Sequence, residues 1–418
     1  MTAAWPDHFL WGAATAGHQV DGNDSTSEIS FLEQVRPTVF PEPAGTACNS
    51  WEQWQDDLDL VASMGLNAYR FSTEWARIEP EEGQIDSSAL DHYERMVDGC
   101  LERGLAPAIT LSHFAIPHWF AKQAAWLSPQ APDLFAAHCR RVIGRIGDRV
   151  TLAVTLNEPD LPRLLSTGGM PRQAFEAQRA CIDAASQEAG VARYRSGSIV
   201  IPEEVTELET GYIRAHRAAV QAVRSVRSDL PVGLSLAVTD ESYVSERGKE
   251  LAQARRKACY ERWLPAIQGD DFIGVQNYER EILGDDGPLV PSTSGPNPRP
   301  INESGKALYP QSLASAVVYI HKLTGLPIVV TEHGVCTSDD SVRSRFIREA
   351  LPPLADLVRD GLPIHGYFHW SLLDNFEWVS AYNRHFGLSS VDRASGTFAR
   401  TLKPSAGTYR DFVRTCVL

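Results

Sequence analysis

No two cysteines in this chain are closely spaced. The seven, at 48, 100, 139, 181, 259, 336 and 416, are scattered and odd in number. That argues against a disulfide framework and against a C-x-x-C zinc site. Long hydrophobic runs are also missing: no window approaches about 18 apolar residues, so no membrane-spanning helix is expected. The opening MTAAWPDH has neither a basic start nor an apolar core, so no secretory signal is expected. With unpaired thiols, a reducing, cytoplasmic location is expected. Basic residues are the minority charge, 39 Lys and Arg against 53 Asp and Glu, a net charge of -14. Such a chain is a poor partner for nucleic acid or an anionic membrane, and a plausible host for a neutral small molecule. No G-x-G-x-x-G or G-x-x-x-x-G-K-[ST] follows an apolar run, so the usual phosphate-binding signatures are absent. The twelve histidines do not suggest a metal site, and no cofactor is expected.

What the sequence does have is alternation. It is 418 residues long and 43% hydrophobic, enough for a large core, and α/β barrels of this length often form one domain. Apolar, β-rich runs occur at 9–16, 67–72, 106–112, 150–157, 232–238, 272–278, 327–332 and 364–370. Amphipathic stretches lie between them, at 54–64, 90–103, 132–146 and 205–227 among others. Gly65, Gly104 and Gly361 follow three such stretches, where a helix needs a left-handed cap. Eight strand-to-helix steps predict an α/β fold, a single (β/α)8 TIM barrel over residues 1–418. An open doubly wound sheet is the weaker alternative. Residues 284–305 (GDDGPLVPSTSGPNPRPINESG) are predicted to be a long loop over the active face.

Parallel barrels carry their chemistry at the C-terminal strand ends, and seven of these ends are polar. They offer His18 and Gln19, Arg70, His113, Asn157 and Glu158, Gln276 and Tyr278, Glu332, and Trp370 with Glu377 and Trp378 just beyond. Two are of one kind: VTLNEP ends at Glu158 and Pro159, and VVTEHG carries Glu332. A buried strand gains nothing by ending on a carboxylate, whereas paired carboxylates at a barrel mouth are how most enzymes break a glycosidic bond. Amides, imidazole and indole around them suit sugar hydroxyls and the flat C–H faces of a pyranose.

Taken singly, several of these residues have plainer readings. His113 could be a core histidine, Trp370 and Trp378 core aromatics, Arg70 an interstrand ion pair, and His333 a brace for the backbone after Glu332.

The chain resembles glycoside hydrolase family 1, the retaining β-glycosidases, over nearly its whole length. The resemblance is carried by FLWGAATAGHQVDG (9–22), NAYRFS (67–72) with Glu74, Trp75, Arg77 and Ile78, TLNEP (155–159), TEHG (331–334), GYFHWSLLDNFEW (366–378), RHFGL (384–388) and KPS (403–405). It implies that Glu158 is the general acid/base and Glu332 the nucleophile. It implies that Arg70 and Tyr278 steady Glu332, that Asn157 binds the sugar 2-OH, and that Gln19, His113, Glu377 and Trp378 bind other hydroxyls over a Trp370 floor. It implies hydrolysis of a small-molecule β-glycoside by double displacement. A transglycosidase, a natural-product deglycosidase or a silent sugar-binding barrel are the alternatives. The sequence departs from the family pattern at His333, at Ser112 and Phe114 around His113, at Gln276-Asn277-Tyr278, at Lys306 and throughout 160–198. Several of these changes fall where the leaving group would sit, so aglycone, sugar and oligomeric state stay open.

Overall fold

The computed structural model describes residues 5–6, 8–168, 170–291 and 300–417. Eight parallel strands close into a barrel: β1 (Leu10–Ala14), β2 (Ala68–Ser72), β3 (Ala106–Thr110), β4 (Leu152–Asn157), β5 (Val232–Ala237), β6 (Ile273–Asn277), β7 (Ile328–His333) and β8 (Ile364–Trp370). Each pairs with its neighbours in chain order, and β8 closes onto β1 with Ala14 opposite Trp370. All eight predicted runs are strands, most trimmed by a residue or two at their ends.

An outer layer of helices follows the strands in sequence: α1 (Ser50–Ser63), α2 (Ser87–Glu102), α3 (Ala131–Ile146), α4 (Val205–Val226), α5 (Glu246–Cys259), α6 (Ser312–Thr324), α7 (Asp340–Arg359) and α8 (Pro404–Val417). Their starts and stops follow local chemistry. Asp86 caps α2 by accepting from the backbone N–H groups of Ser88 and Ala89, and Asp339 caps α7 through Ser341. Gly65, Gly104 and Gly361 take the positive φ anticipated for them, +70°, +70° and +91°.

Packing separates two apolar regions. Between strands and helices lies one large cluster that includes Trp11, Trp75, Trp126 and Trp263. Inside the barrel, the small Ala14, Ala68 and Ala108 of β1–β3 cluster with Phe272, just before β6, and with Phe368 and Trp370 of the adjacent strand β8. Large residues beside small ones fill the interior as a packed core. The site therefore stands on a solid base.

Two segments carry more structure than the sequence suggested. In the stretch 284–305, residues Gly287–Pro288 pair with the end of the strand Arg280–Gly284, which itself runs beside Asp240–Tyr243. This small sheet projects from the ends of β5 and β6, and Ile301 bridges to Ala307. Residues 292–299 of that predicted loop lie outside the described residues. The stretch 160–198 holds two helices, Leu161–Thr167 and Arg172–Glu188. No helix among the described residues is long and apolar enough to cross a membrane.

Candidate active site

β4 ends in a sharp backbone reversal. Glu158 has φ +47°, a conformation unfavourable for a residue with a Cβ. It is held there by its own N–H, which donates to Ser235 O on β5 at 2.9 Å, and by its carbonyl, which accepts from Leu161 N at 3.0 Å. β7 delivers Glu332 by period-2 alternation. The Glu332 side chain turns to the barrel axis, while His333 turns outward, bonding Tyr367 Oη at 2.9 Å and stacking on Phe346. The His333 ring bonds side chains between barrel and helices, so it is the Tyr367 hydroxyl and not the backbone after Glu332 that it holds.

Both carboxyls are buried, Glu332 at 3% exposure and Glu158 at 9%, and their surroundings differ. Arg70 on β2 donates to Glu332 Oε1 at 2.7 Å, and Tyr278 Oη donates to Oε2 at 2.5 Å. Among the described residues, no side-chain hydrogen bond or ion pair braces Glu158 in this way. Burial, then the nearby charges of Glu332 and Asp160, push its carboxyl well above the ordinary range. Burial also raises Glu332, but Arg70 and Tyr278 oppose that rise. Of the two coupled acids, Glu158 is the one that keeps a proton, and Glu332 the one that ionises.

Arg70 is the hub beneath the pair. Fully buried, it donates to Thr110 Oγ1, Thr331 O, Glu332 and Asn157 Oδ1. Gln276 Nε2 also donates to Asn157 Oδ1, at 2.7 Å. With its oxygen taken twice, Asn157 must turn its NH2 toward His113, 3.3 Å from Nε2. His113 Nε2 is then the acceptor, and Nδ1 carries the hydrogen. The ring is neutral, its pKa pushed well down by burial and by Arg70. Gln19 is fixed the same way, its NH2 donating to Asn375 Oδ1 and Phe376 O, which leaves Oε1 as an acceptor.

These commitments leave a particular set of groups without a protein partner. Gln19 Oε1, His113 Nδ1, Gln276 Oε1 and Glu377 Oε1 are all buried and unsatisfied by the protein. One donor and three acceptors left without a partner among the described residues match a polyol, whose hydroxyls both give and accept. Trp370 and Trp378 supply the flat surfaces: His113 stacks on both, at 5.6 and 6.3 Å between ring centroids and 12° between planes. Burial pushes Glu377 up to about 8; the bond from Trp370 opposes the rise and the charge of Glu332 adds to it.

All ten predicted site residues, Gln19, Arg70, His113, Asn157, Glu158, Tyr278, Glu332, Trp370, Glu377 and Trp378, converge on this mouth. His18, also named at the first strand end, serves from behind. It lies between Asp24 and Glu33 at 3.5 and 3.6 Å and stacks under Trp378 at 5.8 Å. Burial disfavours its charge, but the two acids outweigh burial and raise its pKa to about 10. Three supporting residues carried no predicted role: Thr110, Asn375, and Gln276 in its bond to Asn157. Thr110 had a legible signal, a hydroxyl ending an otherwise apolar strand.

A parallel barrel presenting an unequal pair of carboxyls from β4 and β7, ringed by polyol-matching groups, defines a glycoside hydrolase. Comparison with known proteins agrees. The family model described as glycosyl hydrolase family 1 matches residues 1–271 and 267–416. A β-glucosidase of an Agrobacterium species is 29% identical over 464 aligned residues, covering 98% of this chain and 95% of its own. Two solved structures are similar. The β-glycosidase BGL167 has a TM-score of 0.90 and 40% identity, covering 98% and 97% of the two chains. The β-glucosidase 1317 has a TM-score of 0.92 and 34% identity, covering 98% and 99%. The chain belongs to glycosyl hydrolase family 1.

Proposed function

We propose that this enzyme hydrolyses β-linked glycosides, most readily glucosides, with retention of configuration, and that residues 1–418 act as one catalytic barrel. The observation that carries the reading is the inequality of the two glutamates: one braced by Arg70 and Tyr278, the other buried without such a brace, its carboxyl pushed up by burial and by Glu332. Glu332 attacks the anomeric carbon, the glycosidic C–O bond breaks, and Glu158 passes its proton to the departing oxygen. Water then attacks the glycosyl-enzyme. Glu158, now a base, takes the water's proton, and Glu332 is released.

His113 Nδ1–H, Gln19 Oε1 and Glu377 Oε1 hold the sugar hydroxyls. Asn157 has one N–H beyond that used by His113, which supports its assignment to the 2-OH, a bond that strengthens in the oxocarbenium-like transition state. The family membership and the relatives' activity as β-glucosidases support the same assignments. The seven free thiols support a reducing compartment such as the cytoplasm.

The test is Glu332→Ala. Turnover of an aryl β-glucoside is expected to fall by about 10⁴-fold or more, as for loss of a group acting in concert with its partners. Azide is expected to restore part of the rate and to give the glycosyl azide of inverted configuration. A 2-deoxy-2-fluoro glucoside is expected to label Glu332 in the intact enzyme. Near-normal turnover by the alanine variant would remove Glu332 from its role, and absence of any label would favour a silent sugar binder.

A further inference from the structure

In an extended strand, neighbouring side chains face opposite ways. β7 obeys this: Glu332 bonds Arg70 inside the barrel, and His333 bonds Tyr367 outside it. β4 does not. Asn157 bonds Arg70 and Gln276 beneath the mouth, and the next residue, Glu158, also turns to it, close enough to feel the charge of Glu332. Two adjacent residues serve one site because Glu158 leaves the extended region for φ +47°. Unfavourable backbone of this kind persists only where its surroundings hold it. The groups that hold it therefore also aim the acid.

The hold comes from β5. Asn157 lies opposite Ser235, and the Glu158 N–H donates to the Ser235 carbonyl at 2.9 Å. The next rung of a regular parallel ladder would run from the Ala237 N–H to the Glu158 carbonyl. That carbonyl has turned away and accepts from Leu161 N at 3.0 Å. Ala237 is buried, and a buried N–H needs an acceptor. The Asp160 side chain supplies it: Oδ1 accepts from Ala237 N at 3.0 Å. A carboxyl oxygen thus takes the place of the missing carbonyl.

Nothing else explains this carboxyl. Asp160 precedes the helix Leu161–Thr167, where an aspartate ordinarily caps with its side chain, but it makes no such bond. Its carbonyl alone serves the helix, accepting from Arg163 N and Leu164 N at 3.0 and 3.2 Å. The side chain is fully buried, and Oδ2 has no hydrogen-bond partner. Burying a half-satisfied carboxyl is unfavourable, and the bond to Ala237 is what it provides in return.

We propose that Asp160 is a positioning residue for the acid/base. By accepting the Ala237 N–H it locks the reversal at Glu158 onto β5 and keeps the Glu158 carboxyl within reach of the glycosidic oxygen. The inference rests on the reading of Glu158 as the acid. The acceptor at Oδ1 is what acts, so an amide serves as well as an acid.

The experiment compares kcat/KM for phenyl and 2,4-dinitrophenyl β-glucosides. Phenolate needs a proton from Glu158 to leave, whereas dinitrophenolate departs unaided. Asp160→Ala and the space-filling Asp160→Leu both remove the acceptor. Each is expected to lose roughly 10- to 100-fold on the phenyl substrate, as for an acid displaced by up to about 1 Å, and less than about threefold on the dinitrophenyl one. Asp160→Asn is expected to restore the phenyl rate to within about threefold of wild type, because it keeps the acceptor. Glu158→Gln is expected to show the same split, enlarged. Equal losses on both substrates overturn the proposal, since a general structural defect does not sort leaving groups. An Asp160→Asn variant as impaired as Asp160→Ala overturns it by assigning the effect to charge. Loss of the native circular dichroism in both acceptor-free variants overturns it by assigning Asp160 to folding alone. Absence of the split in Glu158→Gln defeats the acid assignment itself, and the proposal with it. A split in Glu158→Gln that Asp160→Ala and Asp160→Leu lack defeats the proposal only.

Discussion

Glu158 and Glu332 are the same residue type, each at the end of an apolar strand, yet their environments assign them opposite protonation states. Arg70 and the Tyr278 hydroxyl make this difference, because both favour the ionised form of Glu332. Tyr278→Phe removes one bond to that anion and so raises the pKa of Glu332. The acidic limb of the kcat/KM profile, which reports loss of the anion, is expected to move to higher pH. The rate at the optimum is expected to fall by about 10- to 100-fold, the range for one charge-stabilising donor. In the proposed mechanism Glu158 acts in its protonated form, so the alkaline limb is expected to belong to it. Glu158→Gln is expected to abolish that limb and to slow substrates with basic leaving groups far more than activated ones. Both results come from pH–rate profiles with a pair of aryl glucosides. An unchanged acidic limb in Tyr278→Phe would show that the hydroxyl does not brace the anion.

Elements place these side chains, and small residues set how closely the elements approach. Gly334 follows β7 immediately, and a Cβ there would lie 1.9 Å from the carbonyl oxygen of Trp370 on β8. Gly334→Ala must separate the two strand ends, displacing Glu332 and Trp370 together. We expect kcat to fall by about 10²-fold, as a misplacement near 1 Å can cost that much, with the helix content unchanged. Asp86→Ala provides the contrast. It removes the exposed cap of α2, whose side chain bonds only Ser88 and Ala89 among the described residues, and is expected to cost about 1 kcal/mol in denaturant unfolding with kcat intact. If Gly334→Ala were as harmless to kcat as Asp86→Ala, close strand approach would not be what aligns the nucleophile.

At the scale of the molecule, one face of the barrel collects acids deep in the protein. Glu74 lies fully buried behind the first strand, accepting from Ser72 Oγ at 2.7 Å, and burial pushes its carboxyl up to about 8. Glu377 is raised to about the same value. A carboxyl raised on folding keeps its proton in the native state, while the unfolded chain has lost it above about pH 4.5. The unfolded state then binds fewer protons, so stability declines as pH rises from there through about 8. For Glu74 alone the decline between pH 6 and 8 is about 2–3 kcal/mol. Glu74→Gln mimics the protonated form, and it is expected to flatten the fall in unfolding free energy over that window while changing little at pH 5–6. A wild-type stability that is level or rising between pH 6 and 8 would contradict the buried, protonated state of this group.

Much of this was legible in the chain itself. A strand buried on both faces must be apolar, so the eight runs stood out, and polar residues at their ends stood out against them. Glu158, Glu332, Arg70 and Tyr278 were found in that way, and the glycines at 65, 104 and 361 announced the helix ends. Three things were decided only by the folded structure. The Arg70–Asn157–Gln276 bonds join β2, β4 and β6, and no local pattern records which side chains meet across a barrel. His18 and His113 have equal standing in sequence, but two acids charge the first while burial beside Arg70 keeps the second neutral. The cavity beside Glu158 gathers Leu161, Leu165, Ile199 and Tyr212, residues distant in sequence that meet only once two helices and the segment between them pack. Local spacing determined the strands and the acids they carry. Proximity between distant residues, which depends on packing, decided which of the two acids is braced as an anion and what surrounds the other.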